Sequence, residues 1–333
     1  MLRLPDFNYL CPTTLAEGAA LLHDLGPQSM VVAGGTDVYP KMKRGQFGPR
    51  YLVSLKDVTE HRGIDYDAGQ GLWIGAGETL TAVANHERVR ASFPALASAA
   101  GLVSTLQLRN VGTIGGNMLV DTRCNYYDQS FFWRDAVGYC LKKDGDICLV
   151  APKSRTCLAI CSSDTAPVLC SLGAEAVLVT AGGERRVPVS AMYRDDGIDF
   201  LTKQRDELLR GVWIPKKAFA YRNVYLKLRR RGSFDFPILG VAAAMAVNAT
   251  GDCTDGEVVL TAVASAPKVV EGAPALLVGH SLSDSLIEQV AEQAMRVSHP
   301  LDNADMDYWY RKRMTRVYVR RALNLLRGVS PAA

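Results

Sequence analysis

The chain has 333 residues, of which 48% are hydrophobic and 22% charged, and its net charge is +4. That length supports two or three packed domains, and a small charge with interspersed signs gives no footprint for nucleic acid. No run approaches the ~20 apolar residues that span a bilayer, and Met1-Leu2-Arg3-Leu4-Pro5-Asp6 lacks the apolar core of a signal peptide, so a cytoplasmic location with no membrane partner is expected.

Thr14, with Glu17 three residues on, reads as a capping box and opens a helix over 13–25. Val31-Val32-Ala33 is a short buried strand that breaks at Gly34-Gly35, and Tyr51 to Leu55 is another. Together they predict a βαβ-like unit that closes near residue 58. Gly71 to Gly77 reads as a strand running into a turn. Thr79 or Thr81 then caps a helix to about Val89, and Pro94 opens one to about Val103. Residues 122–162 have no clean period and are rich in Cys, Tyr, Asp and Lys, so they form an insertion ordered by something other than a core. Ala166 to Val179 predicts helix then strand, and Leu208 to Pro215 a strand ended by proline. Composition shifts near 215–218. Strands over Ile238 to Val247 and Glu257 to Ala264 follow, then amphipathic helices over Ser283–Val297 and Tyr308–Leu326. The pattern predicts an α+β protein, with one domain over 1–216 (parts of about 1–58 and 59–216) and a second over 217–333.

Two segments carry the first candidate site. In Val31-Val32-Ala33-Gly34-Gly35-Thr36-Asp37-Val38, a strand ends in glycines whose backbone N–H groups can approach an anion without Cβ interference. Thr113-Ile114-Gly115-Gly116-Asn117 repeats the composition, and two such loops suit a diphosphate gripped from two sides. An ordinary hairpin or strand–helix turn also explains either glycine pair. The dinucleotide fingerprint is missing, because Gly75-Ala76-Gly77 is followed by Leu80 where the third glycine belongs.

The second candidate site is a set of cysteines, Cys124, Cys140, Cys148 and Cys157, spaced C-x15-C-x7-C-x8-C inside the insertion. A reducing cytoplasm disfavours disulfides. The spacing has no C-x-x-C pair, so it is neither the ferredoxin nor the zinc-ribbon pattern. A segment without a core needs a cross-link, and both tetrahedral zinc and an iron–sulfur cubane would provide one. Cys161 is a possible competing ligand, whereas Cys11, Cys170 and Cys253 read as structural thiols. Tyr126, Tyr127, Phe131, Phe132, Trp133 and Tyr139 could shield such a site or simply pack the insertion, and Lys142, Lys143 and Lys153 could offset thiolate charge or solvate the loop. The histidines are scattered, so no catalytic acid or base is assigned.

V-V-A-G-G-T-D, then I-G-A-G-E-T-L, then T-I-G-G-N, resemble the FAD-binding subunits of the molybdenum hydroxylases, the family of xanthine dehydrogenase, carbon monoxide dehydrogenase and 4-hydroxybenzoyl-CoA reductase. The resemblance extends over nearly the whole chain, through Ser163-Asp164, Asp206-Glu207-Leu208-Leu209 and Tyr225-Leu226-Lys227. It implies a two-part FAD domain of the PCMH/vanillyl-alcohol-oxidase type and a C-terminal domain of the CO dehydrogenase flavoprotein type. It also implies FAD diphosphate contacts at Val31 to Val38 and Thr113 to Asn117, a sugar or ribityl contact at Asp164, and Leu208 and Lys227 near the isoalloxazine. The text N-M-L-V-D-T-R-C-N-Y-Y-D-Q-S, with Trp133-Arg134 and Gly138-Tyr139-Cys140-Leu141-Lys142, resembles the flavin subunits of the 4-hydroxybenzoyl-CoA reductases. There the insertion carries a [4Fe–4S] cluster, which implies Cys124, Cys140, Cys148 and Cys157 as its ligands. The resemblance further implies a large molybdopterin subunit and a small subunit with two [2Fe–2S] clusters, arranged as a dimer of heterotrimers, and reduced ferredoxin as donor. Electrons would pass from cubane to flavin to the partner clusters and molybdenum, for reductive dehydroxylation. Alternatives are the FAD subunit of a related molybdenum hydroxylase acting on another aromatic or N-heterocycle, and a self-contained flavin oxidase with a structural zinc site.

Overall fold

Capped helices and short apolar strands assemble into three sheets in a computed structural model that describes residues 3–328. The first is parallel: β1 (Asn8–Leu10), α1 (Leu15–Leu25), β2 (Ser29–Val32), α2 (Val38–Lys43) and β3 (Tyr51–Ser54), with strand order β1-β3-β2. The expected cap holds at α1. Thr14 Oγ1 accepts from the Glu17 N–H at 3.1 Å, while the Glu17 carboxylate accepts from the Thr13 N–H at 2.8 Å. The box thus closes one residue earlier than the standard motif.

The second sheet is antiparallel. It combines β4 (Ile64–Asp67) and β5 (Gly71–Gly75) with three later strands, β6 (Glu175–Thr180), β7 (Gly183–Pro188) and β8 (Leu208–Pro215), in the order β4-β5-β8-β6-β7. Between β5 and β6 lie α3 (Leu80–Asn85), α4 (Glu87–Ser92), α5 (Pro94–Leu102), α6 (Leu106–Arg109), α7 (Ile114–Met118), α8 (Phe131–Ala136) and α9 (Thr165–Ser171). The single helix expected through Val89 is two. His86 is extended (φ −63°, ψ 125°), ends α3 and caps α4, where Asn85 and His86 are weak helix formers.

The third sheet is also antiparallel, with order β12-β11-β10-β9, built from β9 (Arg222–Leu228), β10 (Leu239–Val247), β11 (Cys253–Thr261) and β12 (Lys268–Val269). Helices α10 (Ala273–Leu277), α11 (Asp284–Val297) and α12 (Tyr308–Arg327) complete the chain, and α12 lies on β9 and β10. On β10, Ala242 and Ala244 enter the core shared with the second sheet, while Leu239, Val241, Ala243 and Met245 enter the core under α11 and α12. A strand buried on both faces needs an unbroken apolar run, which is what residues 238–247 provide. Among the described residues, no helix is long and apolar enough to cross a membrane.

Candidate flavin and cysteine sites

Residues 33–37 join β2 to α2. A Cβ on Gly34 would sit 2.1 Å from the Val111 carbonyl oxygen, and Gly35 has φ +70°. Gly34 is therefore required by contact and Gly35 by conformation. The same contact seats this loop on Val111-Gly112, immediately before the second glycine segment. Among the described residues, nothing accepts from the N–H groups of Gly34, Gly35, Thr36 or Asp37, so this loop leaves a row of open donors.

The second segment differs from the expected open loop. Thr113 caps α7 by accepting from the Gly116 N–H at 3.0 Å. The N–H groups of Ile114, Gly115 and Asn117 go to Glu78 O, Ala76 O and Thr113 O. Its glycines serve close approach instead, since a Cβ on Gly115 would meet the Ala76 Cβ at 2.7 Å. The Asn117 Oδ1 accepts from Ser163 Oγ (3.0 Å), Thr165 N (3.0 Å) and Thr165 Oγ1 (2.8 Å). That brackets Asp164 and fastens it beside the segment.

Asp164 is buried and accepts from Tyr225 Oη at 2.6 Å and Lys227 Nζ at 2.8 Å; Lys227 also donates to Leu102 O at 3.1 Å. Burial pushes the Asp164 carboxyl up against the pull of Lys227, and burial pushes the Lys227 ammonium down against the pull of Asp164. Tyr225 and Lys227 share a face of β9 by strand periodicity, so the pair was readable once the strand was assigned. Leu208 lies elsewhere. It packs into the core around α1, with Cδ1 3.0 Å from a Cβ built on Gly18, whereas Leu209 faces the core that contains Tyr225. The nearby Arg229 donates to Leu102 O, and Arg231 pairs with Asp235.

The insertion brings Cys124, Cys140, Cys148 and Cys157 onto the wall of one narrow cavity, together with Tyr126, Tyr127, Lys142 and Leu149. All the cysteines are free thiols. Its ends are closed by a bridge between Arg123 and Ile160, and the Asn125 N–H donates to Asn303 O near α12. Burial pushes the Cys124 thiol up to about 12, against the N–H groups of Tyr126 and Tyr127. Burial also raises Cys157, opposed by the Ala159 N–H and Lys142. Such thiols become thiolates only when a bound cation compensates them. Cys161 is not on the cavity wall; its N–H donates to Ala264 O and its carbonyl accepts from Thr261 Oγ1. Of the aromatics that could shield the site or pack the insertion, Tyr126 and Tyr127 line the cavity, whereas Phe131, Phe132 and Trp133 are exposed. Only Lys142 of the three lysines turns inward.

Residues 5–217 match the family described as the FAD binding domain in molybdopterin dehydrogenase, and residues 223–326 match the CO dehydrogenase flavoprotein C-terminal domain. The chain is 27% identical over 318 residues to the carbon monoxide dehydrogenase medium chain of Afipia carboxidovorans, covering 96% of each. It is 31% identical over 286 residues to an aldehyde oxidoreductase FAD-binding subunit of Escherichia coli, covering 81% of this chain and 86% of that one. It is 25% identical over 289 residues to the nicotinate dehydrogenase FAD-subunit of Eubacterium barkeri, covering 86% and 84%. Among solved structures, carbon monoxide dehydrogenase from Hydrogenophaga pseudoflava superposes with a TM-score of 0.79 at 25% identity, covering 97% of both chains.

Proposed function

The chain belongs to the FAD-binding subunits of the molybdenum hydroxylase family, as an oxidoreductase subunit that binds FAD, and we propose that within this family it is the flavin and iron–sulfur subunit of a 4-hydroxybenzoyl-CoA reductase. The observation that carries this reading is the single cavity shared by Cys124, Cys140, Cys148 and Cys157. Four thiols donated by one coreless insertion suit a [4Fe–4S] cluster. A lone zinc ion needs its sulfurs about 2.3 Å from one point; among the described residues no group of three or more His, Cys, Asp or Glu side chains is placed to hold a metal ion of either kind, so the choice of cluster over zinc rests on the resemblance of the insertion.

Bound FAD and cluster would supply one-electron transfer, with the substrate chemistry on a partner subunit. The roles of this chain are then to hold, orient and insulate. Val31 to Val38 would present the open N–H groups of Gly34 to Asp37 to the diphosphate. Thr113 to Asn117 would close the other side by its glycine surface. Asp164 would meet a sugar or ribityl hydroxyl, and Lys227 would place its ammonium near the ring, where a cation favours the reduced, anionic flavin. Leu208 is retained as a ring-side residue only through the family pattern, and Leu209 occupies the face nearer Tyr225. A first domain over 1–216 and a second over 217–333 would work in the cytoplasm. Their partners would be a large molybdopterin subunit and a small [2Fe–2S] subunit, paired as two heterotrimers, with ferredoxin as donor.

A second reading keeps the family and changes the substrate. The relatives are named for carbon monoxide, nicotinate and aldehydes, which favours a hydroxylase acting on another compound. Coexpression with the two partner subunits, followed by anaerobic assay with 4-hydroxybenzoyl-CoA and a low-potential donor, separates the two. Benzoyl-CoA formation is expected. A fully loaded complex that forms none would leave the second reading.

A further inference from the structure

Two buried lysines join the glycine loop to the cysteine cavity. The Lys41 side chain is fully buried and that of Lys142 is 7% exposed. They close on opposite oxygens of one carboxylate: Lys41 Nζ lies 2.5 Å from Asp121 Oδ2, and Lys142 Nζ lies 2.7 Å from Asp121 Oδ1. Lys142 also donates to Thr122 Oγ1 at 2.7 Å and to Gly197 O at 2.5 Å. The Tyr127 hydroxyl donates to Asp121 Oδ2 at 3.0 Å, and its ring centre lies 5.0 Å from Lys41 Nζ and 4.8 Å from Lys142 Nζ.

At the far end, Lys41 Nζ is 3.6 Å from Asp37 Oδ2 in the glycine loop, and Asp37 Oδ1 accepts from Arg123 at 3.1 Å. Arg123 also pairs with Asp128 at 3.3 Å, and the other Asp128 oxygen accepts from the Cys124 N–H at 3.2 Å. Three cations thus meet three carboxylates. They are not evenly laid out. Lys142 lines the cavity, its ammonium donates to the carbonyl of Gly197, where a Cβ would meet Cys157 Sγ at 2.7 Å, and its one carboxylate partner is shared with Lys41. Its three acceptors hold it there, with little of the side chain open to solvent. Charges in so dry a place are screened weakly.

We propose that Lys142, fixed by Asp121, Thr122 and Gly197, raises the reduction potential of the group held by the four cysteines. The inference rests on the iron–sulfur reading above. A thiolate-ligated cluster is anionic, reduction by one electron adds negative charge, and a fixed cation beside it stabilises the reduced form. Lys142 acts through space on the cluster and touches no reacting atom, so it is a tuning residue rather than a catalytic one.

The test is an EPR-monitored potentiometric titration of the full chain, purified anaerobically. Lys142→Met should lower the reduced-to-oxidised ratio of the cluster about tenfold at a fixed ambient potential, equivalent to about 59 mV for one electron. Lys142→Arg, which keeps the charge, should stay near wild type. Should Lys142→Met lose iron while Lys142→Arg keeps it, Lys41→Met should show a smaller fall of the same sign. An unchanged potential in the decisive variant, with full iron and sulfide content, overturns the inference alone. Loss of iron from Lys142→Arg as well overturns it in favour of packing. Wild-type protein without labile sulfide overturns the cysteine reading, and this inference with it.

Discussion

Replacing Asp164 by Ala strands a buried cation. Lys227, whose side chain is 1% exposed, would keep only Leu102 O as an acceptor at 3.1 Å, while Tyr225 would lose its 2.6 Å acceptor. At 2.8 Å the gross attraction lost is roughly 6 kcal/mol with an effective dielectric of about 20. Part of it is offset because the carboxylate no longer has to be desolvated, and breaking buried pairs of this kind costs about 3–5 kcal/mol. That is a large share of the ~5–15 kcal/mol that holds a typical protein folded. Urea denaturation followed by circular dichroism should show the drop. The double replacement Asp164→Leu with Lys227→Met removes both charges and should recover part of the stability, because an apolar pair of similar size fills the same space while the buried Tyr225 hydroxyl still lacks its acceptor. It should nevertheless bind FAD more weakly than wild type, as read by flavin content after gel filtration. A loss below about 1 kcal/mol in the single variant, or a double variant no more stable than the single one, would refute the reasoning.

Three further outcomes are expected. Gly34→Ala forces a Cβ to 2.1 Å from the Val111 carbonyl oxygen; it should cost about 1–3 kcal/mol and strip flavin, whereas Gly48→Ala, with nothing within 4 Å, should leave thermal melting and flavin content unchanged. Cys148→Ser should lose iron and keep most of the FAD, measured as metal and flavin per chain, because the open donors at Gly34 to Asp37 lie outside the cavity. Burial pushes the Asp121 carboxyl up, but Lys142 and Lys41 outweigh it and hold the group below the usual range. A folded value below the unfolded one gives stability that is complete above about pH 4 and lost as pH falls through the folded value. Denaturation midpoints should therefore fall on acidification below about pH 4, and less steeply in Asp121→Asn.

Local chemistry was the legible part of this molecule. Thr14 and Glu17 placed α1, Pro215 ended β8 on the expected residue, and the apolar run of 238–247 marked the strand β10. The grouping of four cysteines was also visible, because one short insertion holds them all. What the sequence concealed is tertiary. Lys41 and Asp121 are 80 positions apart, and nothing near either announces the other. Thr113 to Asn117 looked like a second open loop, yet Ala76 and Glu78, brought alongside by the fold, take two of its donors. Phe131, Phe132 and Trp133 read as either a shield or packing for the insertion, but α8 is short and turns them outward, leaving Tyr126 and Tyr127 at the cavity. Cys161 was a plausible ligand by spacing alone, and its tie to Ala264 draws it to the C-terminal sheet.

The most direct measurement is iron and acid-labile sulfide per chain in protein purified without oxygen, read beside zinc and with FAD as the internal standard. Equal amounts of iron and sulfide, about four of each for one flavin, with zinc absent, is the result predicted from Cys124, Cys140, Cys148 and Cys157. Stoichiometric zinc without sulfide, or a flavoprotein with neither metal, would contradict it.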